Sequence, residues 1–424
     1  MNSILIAMII SVLFQNLLGY LKFKKIINPI FLFSIIHFFH NWSFSFSRHF
    51  NELQLWNANL SVEYWSMYDV LFINFVGSWV FFLIIIFLAK TKKYRHNTSF
   101  TGTKKLLNGY YILSFFSLIN FYSNYDPTLA YGANQASDAI SAFNPLSQVI
   151  FFRVIMCITY IFLNKPSKKT ILKIILIELF FSAINFKRKD LILIVSSLLI
   201  KNLINAKIKI LPTLRYSLFA FFGTFFVTLI PIYRSVNNYV DGFFNVFNEV
   251  IYVISDYGSQ IFLYIINLTN SEGVQNWTYQ LVYDGEMTLL YGKSYLQGVI
   301  NMFILRPFQG STIANWQGAY YFKSLADPDN PSQGWDFTFT AEAIQNFGPR
   351  FSFISYGILG LFIANLYSKR NKGDLYRILY LFTWPVLIIG FRMDSTSVFR
   401  LYSYILLLYL YFYLSKNIKK LDTY

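Results

Sequence analysis

Apolar runs of about 16 to 22 residues recur along most of this chain, and a run of that length is what a helix needs to cross a bilayer, with some tilt or local thinning. They fall near residues 3–21, 26–42, 68–89, 106–122, 146–163, 171–186, 190–205, 214–232, 351–368, 376–391 and 399–415. The pattern predicts an all-α polytopic membrane protein of about 11 transmembrane helices. One stretch of about 120 residues, 231–350, breaks the rhythm. It is rich in Tyr, Trp, Asn, Gln, Asp and Gly, and its two apolar segments, Ile251–Leu268 and Gly298–Phe308, are interrupted by polar residues and read as interfacial helices. The expected division is therefore an N-terminal bundle of about eight helices over 1–230, a long and partly helical loop over 231–350 between the eighth and ninth spans, and about three C-terminal helices over 351–424.

Composition agrees with a membrane solvent. The 424 residues are 55% hydrophobic and only 13% charged, with a mean hydropathy of +0.43, too apolar for a soluble domain of this length. The formal charge of +16 raises the question of a nucleic-acid partner. The basic residues, however, sit in short clusters between apolar runs: Lys22 to Lys25, Lys90 to Lys105, Lys165 to Lys173, Lys201 to Arg215, Lys369 to Arg377 and Lys416 to Lys420. These clusters occupy alternate loops and hold most of the 36 Lys and Arg, which places those loops and the C-terminus in the cytoplasm, and the N-terminus and the long loop outside. No nucleic-acid partner is expected. Met1 to Tyr20 lacks a basic start and a small-residue cleavage site and reads as the first span. The single Cys157 excludes an internal disulfide.

Some charges sit where the orientation rule disfavours them. Lys187, Arg188 and Lys189, followed by Asp190, lie at the outer end of a tight helical hairpin, and Arg234, Arg306, Arg350, Arg392 and Arg400 are also placed outside. Arg offers permanent, planar, bidentate recognition of phosphate, so such cations suit a polyprenyl pyrophosphate held outside the cytoplasmic face. They suit equally well snorkelling to ordinary anionic headgroups, or pairing with Asp190, Asp241 and Asp394. A hairpin that stays cytoplasmic is a further reading.

The loop closes on Trp335-Asp336-Phe337-Thr338-Phe339-Thr340-Ala341-Glu342-Ala343-Ile344-Gln345-Asn346-Phe347-Gly348-Pro349-Arg350. Glu342 lies in an apolar-flanked helical pattern that Gly348-Pro349 ends one turn before a span. A carboxylate desolvated there gains basicity and can take a proton from a sugar hydroxyl; it can also simply stabilise a helix start. Asp336 and Asp256 are the other acidic candidates. Trp277, Trp316, Trp335 and Tyr320 to Phe322 can stack on sugar rings or anchor the loop at the interface. Asp327-Pro328-Asp329 reads as a turn, and His37 and His40 share a helix face without a third ligand, so no metal site is expected. There is no phosphate-binding glycine loop, dinucleotide fingerprint or nucleophile elbow.

With Phe186-Lys187-Arg188-Lys189-Asp190-Leu191 before the later spans, Thr340 to Gly348 ending a long outer loop, and Phe391-Arg392 after the penultimate span, the chain resembles the bacterial O-antigen polymerases. More broadly it is similar to the oligosaccharide repeat-unit polymerases of the GT-C class of membrane glycosyltransferases. Lys187 and Lys189 stand where the family usually has a small residue beside the Arg. The resemblance implies block transfer, at the periplasmic face of the inner membrane, of a growing glycan from undecaprenyl pyrophosphate onto the next lipid-linked repeat unit. The residue chemistry suits that reaction, with Arg188 and Arg234 expected on the pyrophosphate, Glu342 as base, and Lys187, Lys189, Arg392, Asp336, Asn346, Trp335 and Tyr320 in substrate binding. The resemblance implies no cofactor, and a chain-length regulator as protein partner. Two rivals remain. An O-antigen ligase shares the architecture, but its resembling members carry a His in the long loop, and 231–350 holds none. A flippase or other transporter places ionisable residues within spans, where Glu178 is the clearest candidate.

Overall fold

The computed structural model describes residues 2–41, 64–90, 103–124, 145–185, 189–205, 272–303, 337–390 and 395–421, with isolated helical residues at 245, 248–249, 251–252, 255, 322 and 325. Among the described residues the protein is all-helical, with thirteen helices and no strand. They are α1 (Asn2–Phe23), α2 (Pro29–Asn41), α3 (Tyr64–Leu88), α4 (Lys104–Asn124), α5 (Pro145–Leu163), α6 (Lys168–Asn185), α7 (Lys189–Asn205), α8 (Glu272–Tyr283), α9 (Lys293–Phe303), α10 (Phe339–Phe351), α11 (Phe353–Lys369), α12 (Asp374–Gly390) and α13 (Ser395–Leu421). A helix lies on every apolar run expected to cross the membrane except 214–232, which is outside the described residues. By length and composition two described helices suffice to cross a bilayer, at Ile6–Phe23 and Ser66–Leu88, and a third does if α10 and α11 are one broken span.

The surface fits that solvent. Large apolar side chains such as Leu13, Phe72, Phe87, Phe115, Leu172 and Tyr411 are exposed, while Asn41, Asn74, Glu178 and Gln275 are wholly buried. In water this distribution would be inverted.

The chain forms two compact units. One comprises Met1–Phe100 with Thr269–Tyr424, hence α1 to α3 and α8 to α13; the other, Thr101–Leu268, holds α4 to α7. The first unit thus joins the second half of the long loop to the first and last helices. In the first unit the tightest helix pair is α3 on α11, and small residues make it. A Cβ at Gly77 would stand 2.4 Å from the Tyr356 ring, and one at Gly360 would stand 3.2 Å from Ile84. Where lipid supplies no hydrophobic drive between helices, such close backbone approach is what holds them together.

Capping explains several boundaries. Asn28 Oδ1 accepts from the Ile30 and Phe31 amides at 2.9 and 3.1 Å, with Pro29 at the first helical position of α2, where its missing N–H costs nothing. Thr338 caps α10 by accepting from Ala341 N at 3.0 Å. At the other end of α10, Gly348 takes φ 74° and ψ 168°, and α11 departs at 118°. Pro349 has no N–H for the Gln345 carbonyl, and the break at Gly348 denies Asn346 its usual partner. The connection between α8 and α9 supplies both donors, Leu290 N to Gln345 O at 3.0 Å and Tyr291 N to Asn346 O at 2.9 Å. The α8–α9 segment is thereby fixed against the end of α10.

Candidate functional site

Glu342 lies one turn into α10, on the face that meets α9 and the start of α13, and it is 1% exposed. Its Oε1 accepts from the hydroxyls of Ser294 and Ser395, at 2.5 and 2.6 Å, and its Oε2 accepts from the Ser395 amide at 2.7 Å. Ser395 is the first residue of α13 and Ser294 the second of α9. The carboxylate therefore faces the positive ends of two helices. Asn346, one turn further along α10, donates to Ser294 Oγ at 2.7 Å and to the Glu342 carbonyl at 2.8 Å. It thereby turns the serine proton toward Glu342, and every one of these contacts gives the carboxylate a donor, an arrangement that serves an ionised acid.

Next to this cluster, buried side chains keep unmet hydrogen-bonding capacity. Gln345 is 0% exposed, yet among the described residues neither its Nε2 nor its Oε1 has a partner, and Asn346 Oδ1 has none. Buried amides of this kind are met by water or by a ligand's hydroxyl groups. Tyr295, packed between these elements, hydrogen-bonds Ser355 Oγ at 2.8 Å. Burial, and then the Glu342 charge, push its phenol well above the usual range.

A second network runs through the same unit. Thr340 Oγ1 meets Asn74 Oδ1 at 2.9 Å and Tyr356 Oη at 2.8 Å; Tyr356 donates to Asn74 Oδ1 at 2.6 Å; Asn74 Nδ2 donates to Gln275 Oε1 at 3.0 Å; and Gln275 Nε2 donates to Asn41 Oδ1 at 2.7 Å. It ties α8 and α10, both from the long loop, to α2, α3 and α11. The two histidines join this framework: His37 Nε2 is 3.3 Å from Tyr356 Oη, and His40 Nε2 is 2.9 Å from the Ile388 carbonyl.

The other unit holds a charged cluster of its own. Arg153, on α5, pairs with Glu178 of α6 and, at 3.0 Å, with Asp190 of α7. Its guanidinium lies 4.4 Å from the centre of the Phe181 ring. Tyr110 of α4 donates to Glu178 Oε1 at 2.8 Å.

Of the residues singled out in the sequence, the structure brings Glu342 and Asn346 together and places Lys189, half-buried, at the start of α7 in the other unit. Arg188, Arg234, Lys187, Arg392, Asp336, Trp335 and Tyr320 lie outside the described residues. Sequence reasoning missed Ser294 and Ser395, whose polarity is unremarkable in loop-flanking positions. It also missed Arg153, although a lone Arg inside an apolar run was a usable signal. No protein-family model matches the chain, nor does any curated protein or solved structure.

Proposed function

We propose that the protein polymerises lipid-linked oligosaccharide repeat units. It transfers the growing glycan from undecaprenyl pyrophosphate to the next repeat unit at the periplasmic face of the inner membrane, and undecaprenyl pyrophosphate is released. One observation supports this reading above others: the Glu342 carboxylate, from the motif that ends the long loop, is bonded to Ser395 at the start of α13, three residues after the Phe391-Arg392 pair. The motif that ends the long loop thus meets the residue that opens α13 at one buried acid.

In chemical terms Glu342 accepts the proton of the acceptor sugar hydroxyl, while Arg188, Arg234 and Arg392 neutralise the leaving pyrophosphate. Lys187, Lys189, Asp336, Trp335, Tyr320 and Asn346 contribute to holding the glycans and the lipid headgroup, and the unpartnered amide of Gln345 adds a donor and an acceptor for sugar hydroxyls beside the acid. Because Glu342 is enclosed by Ser294 and Ser395, the start of α13 has to shift for a hydroxyl to reach it. A covalent intermediate and a metal are not needed in this scheme.

A second reading, transport of a lipid-linked glycan, draws on the ionisable cluster of Arg153, Glu178 and Asp190 within apolar helices. The test is deletion of the gene in its host, with lipid-linked glycan and surface polysaccharide resolved on gels. A single repeat unit on the lipopolysaccharide core, with a ladder restored by the wild-type gene, supports polymerisation. Full-length polymer retained on lipid carrier points to ligation, and repeat units trapped on the cytoplasmic side point to transport.

A further inference from the structure

Within the first unit the closing ends of α1, α3 and α11 meet at one place. Lys22 Nζ donates to the Ile85 carbonyl at 3.3 Å and to that of Ile86, which ties α1 to α3. The Phe23 ring stands edge-on to Tyr367, centroids 5.0 Å apart, and ties α1 to α11. The Lys90 amide donates to Ser368 Oγ at 2.8 Å and joins α3 to α11. Lys24, Lys25, Lys90 and Lys372 are exposed at this junction, and among the described residues no carboxylate pairs with any of them. Beside them Tyr20 and Leu21 of α1 and Phe87 and Leu88 of α3 are exposed as well. Apolar side chains that face outward there belong among acyl chains, and cations within a turn of them lie at headgroup depth.

The backbone that carries these lysines is fixed. Lys22 answers the negative end of α3, which leaves its neighbours for another anion. Lys24 takes φ 52° while its amide donates to the Tyr20 carbonyl at 2.8 Å, a left-handed helix end that glycine or asparagine usually occupies. Asn28 Nδ2 then holds the carbonyls of Lys25 and Ile26 at 3.0 and 3.2 Å, and Lys372 N donates to the Lys369 carbonyl at 2.8 Å. A lysine kept where glycine is easier implies a use for its side chain. We propose that the junction of α1, α3 and α11 binds the headgroup of an anionic phospholipid, with Lys24, Lys25, Lys90 and Lys372 supplying the charge and the apolar faces of α1 and α3 receiving the acyl chains. The occupant is an amphiphile because charge and apolar surface adjoin: a free phosphate uses the lysines alone, and a zwitterionic lipid brings a cation of its own against them. Cations on an ordered backbone bind such a headgroup with less ordering to be lost, and the lipid in turn bridges three helices at the end of α11 remote from α10. None of this depends on the polymerase reading.

The experiment uses the full-length protein. Native mass spectrometry from detergent reads which lipid is retained from an equimolar mixture of phosphatidylglycerol and phosphatidylcholine, and melting is followed in nanodiscs of phosphatidylcholine with and without phosphatidylglycerol. Wild type retains phosphatidylglycerol in preference and melts higher in the discs that contain it. Lys24→Gly separates side chain from backbone, since it removes a cation and relaxes the left-handed position. It melts at or above wild type in phosphatidylcholine alone, while its preference for phosphatidylglycerol falls about fivefold, and adding Lys90→Gln lowers it about fivefold again. Lys293→Gln, which removes an exposed cation beside Ser294 instead, leaves the preference unchanged. An undiminished preference in the variant carrying both K24G and K90Q overturns the site, as does equal stabilisation of wild type by the two lipids. Inorganic phosphate that stabilises wild type in phosphatidylcholine discs as much as phosphatidylglycerol does makes the ligand a free phosphate and overturns the lipid assignment.

Discussion

At the scale of single residues, Glu342 has two separable duties. As an anchor it satisfies the hydroxyl of buried Ser294 and the hydroxyl and amide of part-buried Ser395, and an orphaned buried donor costs roughly 1–3 kcal/mol. E342A therefore lowers the melting temperature in detergent by several degrees, whereas S395A, which loses one hydroxyl and keeps the amide contact, lowers it less. As a base, the carboxylate is needed for its charge. E342Q keeps an oxygen to accept from Ser395, so it retains most of the stability but yields no polymer ladder. A ladder in E342Q as strong as its folded fraction allows leaves Glu342 an anchor alone.

Tyr295 gives a pH signature at the same scale. Burial and the neighbouring acid raise its phenol pKa in the folded state. Once the unfolded chain begins to lose this proton, near pH 10, the folded state binds more protons than the unfolded state, and stability falls as pH rises further. Below that pH the residue contributes no pH dependence. Tyr295→Phe flattens the alkaline limb of the melting curve and leaves the neutral region unchanged in slope.

At the scale of elements, the turn from α10 into α11 depends on a backbone that only glycine adopts easily. Gly348 lies in a region essentially closed to other residues, yet a Cβ there would meet nothing nearer than Leu289 at 3.6 Å. The cost of G348A is thus conformational, roughly 1–3 kcal/mol, and it loosens the α8–α9 connection that pairs with the end of α10. Gly77 is the opposite case: its helix is unstrained, but any Cβ collides with Tyr356. G77A displaces the Tyr356 hydroxyl from Asn74 and Thr340 and costs more than an ordinary surface substitution, about 1–3 kcal/mol as overpacking does. Paired melts of G348A and G77A, each with Tyr356→Phe added, separate the two mechanisms, since only the G77A effect shrinks in the second background.

The elements also show what a sequence can reveal. Long apolar runs and the Gly348-Pro349 break are local signals; helices lie on the described runs, and the backbone leaves helical geometry at Gly348. The partners of Glu342 are not local: Ser294 and Ser395 lie 48 and 53 residues away, and a serine near a helix start looks the same whether or not an acid faces it. Arg153 was hidden for another reason. It lies inside an apolar run rather than in a loop, where the orientation rule that drew attention to Lys187–Lys189 does not count it, and its acidic partners stand 25 and 37 positions later.

At the scale of the whole molecule, the proposed reaction requires a particular sidedness, and two exposed positions of the first unit decide it. Glu286 lies in the exposed connection between α8 and α9, and Lys372 in the exposed turn between α11 and α12. On the charge bias the first is expected outside and the second, within the Lys369 to Arg377 cluster, in the cytoplasm. The α3–α11 packing and the Asn74–Gln275 and Thr340–Tyr356 contacts hold both turns on one framework, so their sidedness is read on a single folded unit. In a Cys157→Ala background, a membrane-impermeant maleimide applied to intact spheroplasts labels E286C fully and K372C only after lysis. Equal labelling of both places the two turns on one side and overturns the expected crossing by α11. Labelling of K372C alone inverts the protein, puts Glu342 on the cytoplasmic side of the helix that follows it, and removes the periplasmic reaction proposed for this site.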